Sequence, residues 1–135
     1  MADTKLRVTD SEKITINLGL VDLGQIDLLV QEGFYSNRTD LIRTAIRNQL
    51  NVHSDVLKQT VARRTLVVGL HHVSKQDLEA ARTAGKKLRI QALGLVRIAD
   101  DVTPALAKAA IESIAVLGAL QAPPAVKAAL ADRIQ

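Results

Sequence analysis

The clearest pattern in the chain is an alternation. From Glu12 to Leu18 the sequence reads EKITINL, with Ile14, Ile16 and Leu18 on one side and Lys13, Thr15 and Asn17 on the other. A period of two marks a strand with one apolar and one polar face, so a single strand is predicted over 12–18. No second alternating run follows at hairpin distance. Such a strand needs a neighbour from elsewhere, and another copy of the same chain would serve. The period then changes. In VDLGQIDLLVQE, residues 21–32, Leu23, Ile26, Leu29 and Val30 recur at helical spacing. Gly33 ends this helix and Ser36 offers a cap for the next. Ile42, Ala45, Ile46 and Leu50 form the apolar face of a second helix over 37–50, with Arg43 and Arg47 pointing elsewhere. A third helix is expected over 51–63, beginning near Ser54.

Past residue 63 the pattern turns repetitive. LVVGL, IQALGL and IAVLGAL centre on Gly69, Gly94 and Gly118, 25 and 24 residues apart, and a helix-like segment follows each. Ser74 with Asp77 has the spacing of a capping box, and Thr103-Pro104 and Pro123-Pro124 open the next two helices. Units of this length suit short strand-helix solenoid repeats. An ordinary small α/β module or an all-helical one remains open on the same residues. The expected fold class is mixed α/β. The expected division is a flexible arm over 1–11, a first domain over 12–53, a connecting helix over 54–63 and a C-terminal oligomerisation module over 64–135.

Composition narrows the chemistry. Of 135 residues 47% are hydrophobic, yet there is one Tyr, one Phe and no Trp. The core must be aliphatic, and aromatic stacking on single-stranded nucleic acid is excluded as the main binding mode. With no cysteine there is no disulfide, thiolate metal site or cysteine nucleophile. The N-terminal residues lack the apolar core of a signal peptide, and no apolar run is long enough to span a bilayer; a cytoplasmic location without a membrane partner is expected. The net charge of +4 is unevenly spread: residues 54–90 hold eight Lys/Arg against three Asp/Glu, whereas residues 1–53 hold six against seven. Lys86, Lys87 and Arg89, with Arg82 nearby, make a basic cluster that reads as a solvated helix end or as an aid to DNA binding.

Catalytic constellations are not found. His71 and His72 are adjacent just after an expected strand, and the side chains of neighbouring strand residues point to opposite faces, so they chelate poorly even with Asp77 nearby. Asp100 and Asp101 precede a helix and suit its dipole better than acid/base work. No phosphate-loop motif occurs. Neither enzyme activity nor a metal or other cofactor is expected.

The stretch EKITINLGLVDLGQIDLLVQEGFYSNRTDLIRTAIRNQL, residues 12–50, resembles the ribbon-helix-helix superfamily, also called the MetJ/Arc or CopG-like superfamily. The resemblance implies an intertwined homodimer whose paired strands form an antiparallel ribbon that enters the major groove of double-stranded DNA. By position it implies that Lys13, Thr15 and Asn17 read bases, that Ser36, Asn37 and Arg38 hold a phosphate at the start of the second helix, and that Ile14, Ile16, Leu18, Ile42 and Ile46 form the dimer core. The expected function is a transcriptional regulator, a repressor, acting as a dimer or as a tetramer or larger. An antitoxin or plasmid-partition protein of the same fold is an alternative, but a toxin partner is disfavoured by the apolar, periodic C-terminal half. A self-assembling structural protein anchored by the dimer is another.

Overall fold

In a computed structural model, residues 11–135 are described. The elements run α1 (Leu20–Gln31), α2 (Arg38–Val52), α3 (Ser54–Arg64), β1 (Val67–Val73), α4 (Lys75–Thr83), β2 (Leu88–Ile98), α5 (Pro104–Ala110), β3 (Ile111–Gln121) and α6 (Pro124–Ala129). Two compact units result, one of residues Lys13–Thr60 and one that includes Val61–Gln135. All but one residue of the arm expected over 1–11 lie outside the described residues.

The first unit corrects the expected fold class. Residues 11–19 carry neither strand nor helix, and the first element is the helix α1. The N-terminal ribbon strand and its antiparallel, intertwined pairing are therefore overturned; the protein's sheet lies in the second unit and is parallel. The physical reason is that alternation sorts side chains but supplies no ladder. A strand's N–H and C=O groups need a neighbour, and residues 12–18 find none among the described residues. The cap of α2 also differs by one residue from expectation. Asn37, not Ser36, is the N-cap, because its side-chain oxygen accepts the Asp40 N–H at 2.8 Å.

Helices α1, α2 and α3 contain no buried residue. Leu23, Ile26, Val30 and Ile42 are half-buried, while Ile14, Ile16, Leu20, Phe34, Ile46 and Leu50 are exposed. An apolar set of this size on these helices has no core of its own to enter.

The second unit holds the core. Its strands lie in the order β1-β2-β3, both pairs parallel. Consecutive parallel strands need a crossover, and α4 and α5 supply it; α4 contacts α5, and α5 contacts α6. Each helix starts for a local reason. Ser74 and Asp77 form a reciprocal capping box, Thr103 accepts the Leu106 N–H with Pro104 behind it, and Pro124 opens α6. Leu78, Ala81, Leu106, Ala107, Ala110 and Val126 of the helices meet Val73, Ile90, Ala92, Val96, Ile98, Ile111 and Ile114 of the strands in one cluster. Full burial of such a Leu, Ile or Val is worth about 1.5–3 kcal/mol each.

Gly69, Gly94 and Gly118 stand in one register row across the sheet. All three have positive φ, 107°, 135° and 123°. A Cβ at Gly94 would overlap the carbonyl oxygen of Gly69 and lie 3.1 Å from its carbonyl carbon; a Cβ at Gly118 would overlap the carbonyl oxygen of Gly94. No L side chain fits this close approach, so the 24- and 25-residue spacing of the glycines is the spacing of stacked strand-helix units.

Candidate nucleic-acid interface

The residues expected to read bases lie in the segment before α1. Lys13, Thr15 and Asn17 are exposed, and so are Ile14, Ile16 and Leu18 from the apolar half of the alternation. Within one chain the segment is thus uncommitted on both sides.

The start of α2 is more fully built. Glu32 and Gly33 close α1, and the short turn to Asn37 brings the two helices into contact. Asn37 caps the Asp40 N–H, and the Ser36 N–H donates to the Asp40 carboxylate at 3.0 Å. The reciprocal pair occupies two of the groups a phosphate would seek. Among the described residues nothing accepts from the Arg38 and Thr39 N–H groups, the first two of the helix. An exposed helix N-terminus of this kind attracts anions through aligned N–H groups and the helix dipole.

Arg38 is otherwise engaged. Its Nε donates to Asp27 Oδ1 at 2.7 Å and its Nη2 to Asp27 Oδ2 at 2.8 Å. This hydrogen bonding holds the Asp27 carboxyl below the usual carboxylate range and raises the Arg38 guanidinium above its own. Ser36, Asn37, Thr39 and Asp40 instead share a groove of about 470 Å³ with Arg43 and Arg47. Neither Arg43 nor Arg47 forms an ion pair among the described residues. These two cations are absent from the phosphate set expected from sequence. The signal for them was available: residues 39, 43 and 47 recur every four positions, in a row that runs along α2 beside the apolar one.

In the second unit the basic middle of the chain forms a groove of about 400 Å³, lined by Arg63, Arg64, Thr65, Leu66, Arg89 and Gln91. Arg89 pairs with Glu112 at 3.3 Å. The histidines do not converge. His71 and His72 align with Val96 and Arg97, successive positions on β2 that face opposite ways, and Asp77 is committed to its capping box. Among the described residues no cluster of three metal-ligating side chains occurs, and no helix is long and apolar enough to cross a membrane.

The model of the Ribbon-Helix-Helix transcriptional regulator family matches residues 9–127. The match runs through both units, well beyond residues 12–50, which carry the sequence resemblance. No curated protein and no solved structure matches the chain.

Proposed function

The chain belongs to the Ribbon-Helix-Helix transcriptional regulator family, and from that premise we propose that it is a sequence-specific repressor that binds double-stranded DNA as a homodimer through residues 13–60. The family is non-catalytic, and the protein is not an enzyme. One observation carries the dimer. The unit Lys13–Thr60 contains no buried residue, yet it exposes Ile14, Ile16, Phe34, Ile46 and Leu50. Surface of this kind marks an association site, and a second copy brings an equal apolar set to cover it. Ile14, Ile16, Leu18, Ile42 and Ile46 then form the shared core.

Lys13, Thr15 and Asn17, exposed in the segment before α1, are left for DNA. Lys13 donates to guanine O6 or N7, Asn17 makes a bidentate pair with adenine, and Thr15 meets a base edge or a thymine methyl. The α2 N-terminus fixes register by holding a phosphate on the Arg38 and Thr39 N–H groups, with Arg43 and Arg47 adding charge. Ser36 and Asn37 shape this site by orienting Asp40. Asp40 lies in the same groove, so the two arginines have to outweigh one carboxylate there. Selection of the intact protein against a random duplex library tests the reading. A recurring motif, lost when Thr15 and Asn17 become Ala, is the expected result. Recovery of unrelated sequences, bound with salt-sensitive but uniform affinity, would overturn sequence-specific repression.

A further inference from the structure

The two edges of the C-terminal sheet fit one another. β1 covers β2 only from Ala92 to Ile98. Carried over by one strand in the same register, a β1 would lie along residues 116–122, because Ala92 aligns with Val116 and Arg97 with Gln121. Among the described residues nothing pairs with that stretch. Among the described residues the outer edge of β3 meets only an isolated parallel bridge between Ile114 and Ile134, closed by Ile114 N–H to Arg133 O at 2.9 Å and Gln135 N–H to Ile114 O at 2.7 Å. The bridge stops short of Val116, where an incoming β1 would begin.

The glycine row points the same way. Gly94 sits against the carbonyl of Gly69, and Gly118 against that of Gly94. Gly69 keeps the same left-handed φ, yet nothing lies within 4 Å of its Cβ position. Its upstream carbonyl is the neighbour that β1, as an edge strand, lacks. The row Val68, Leu93 and Leu117 is likewise cut off at both ends, with Val68 62% and Leu117 49% exposed.

We propose that a second copy of this chain supplies both ends: β1 of one copy adds in parallel to β3 of another, with Gly69 against the Gly118 carbonyl and Val68 beside Leu117. Unpaired strand edges are templates for such addition. The joined edges differ, so the contact is head-to-tail and each addition leaves a new free edge of the same kind. The inference is independent of the DNA reading, since it concerns only the second unit and its test contains no DNA.

Sedimentation of the full-length protein over a hundredfold concentration range tests it. Wild-type mass should grow with concentration without a plateau. Val68→Lys alone and Leu117→Glu alone should each raise the concentration needed for growth at least tenfold. An equal mixture of the two should restore it, because the ammonium group introduced in one copy then meets the carboxylate introduced in the next. Gly69→Ala, strained by its φ of 107° but meeting nothing within 4 Å in its own chain, should also block growth where circular dichroism shows it folded, since its methyl group would meet the neighbouring copy. Circular dichroism establishes that each variant is folded; if a charged variant is not, Val68→Thr and Leu117→Thr replace the pair and should shift growth in the same direction. A fixed wild-type mass would overturn the proposal. So would growth stopped by the Val68 variants but untouched by the Leu117 variants, which indicates β1 pairing with β1, or a mixture that fails to rescue.

Discussion

Arg38 and Asp27 join the start of α2 to α1 through two parallel hydrogen bonds of 2.8 and 2.7 Å. Both side chains are about half exposed, at 54% and 42%. Water screens an exposed pair of this kind, so it adds little to stability. Its larger effect is on where the guanidinium points. While Asp27 holds it, Arg38 is unavailable to an anion.

Asp27→Asn should therefore leave the melting temperature nearly unchanged and yet strengthen DNA binding at low salt. A freed Arg38 adds one phosphate contact, which steepens the dependence of log affinity on log salt by about 0.9. Titrations at several salt concentrations measure the slope; an unchanged slope would show that Arg38 does not reach phosphate even when released.

Arg43→Ala and Arg47→Ala should weaken binding to specific and scrambled duplexes alike, each lowering the salt slope by about one. Their side chains border the α2 N-terminus rather than the segment that carries Lys13, Thr15 and Asn17. A loss confined to the preferred sequence would make them base readers instead.

Thr15→Ala and Asn17→Ala should do the reverse. Each should cost roughly 1–3 kcal/mol of discrimination between the preferred site and a scrambled one, with non-specific affinity and subunit mass unchanged. Competition binding with both duplexes provides the comparison, and equal weakening on the two would remove these residues from base reading.

Gly94→Ala should unfold the second unit or leave it destabilised by more than about 3 kcal/mol, since a strained backbone costs of order 1–3 kcal/mol before any clash is added. The new methyl group meets the Gly69 carbonyl, which is backbone and cannot swing aside. Thermal melting followed by circular dichroism gives the answer; a loss smaller than about 1 kcal/mol, the low end of that strain, would mean that the row of glycines is not tightly stacked.

The α4 capping box sets an acid limit. The Ser74 backbone N–H and then the Ser74 side chain lower the Asp77 pKa from its ordinary 3.8; burial opposes them to a smaller extent, and the charges of His72 and His71 add least. The folded state thus favours the ionised form. Its contribution is complete above the unfolded value and is lost as pH falls through the folded one, below about pH 4. Melting temperature should drop in that range, and Asp77→Asn should flatten the drop while lowering stability at neutral pH. An acid limb unaltered by Asp77→Asn would assign it to other carboxylates.

What could be read from sequence follows from how local each feature is. Helical periodicity, the caps at Ser74 and Thr103 and the proline that opens α6 act within one turn, so they show in the residue order. The 12–18 alternation records only which side chains are apolar; a strand also needs a ladder, which an alternation of side chains does not encode. The Asp27–Arg38 pair joins residues eleven apart across a turn, and no spacing rule singles it out. Of the residues proposed to meet DNA, Lys13, Thr15 and Asn17 are visible as the polar half of that alternation and take their role from the family resemblance, while Arg43 and Arg47 are legible only as a polar row on a helix. The glycine spacing was visible, but its cause was not. Equal spacing becomes a row only when equal unit lengths bring the strands into register, and positive φ at all three positions is a property of the stack.

The row of glycines also bears on how such a gene changes length. Each stretch from one glycine to the next carries its own strand, its own capped return helix and its own bend, and it is 24 or 25 residues long. Copying one such stretch in frame inserts a whole layer, and the carbonyl that the new glycine needs is already waiting on the layer before it. Deleting a single codon within a strand instead moves one glycine out of line and sets a side chain against a backbone oxygen. Descent through this half of the chain is therefore free to gain or lose complete layers and is barred from gaining or losing fractions of one.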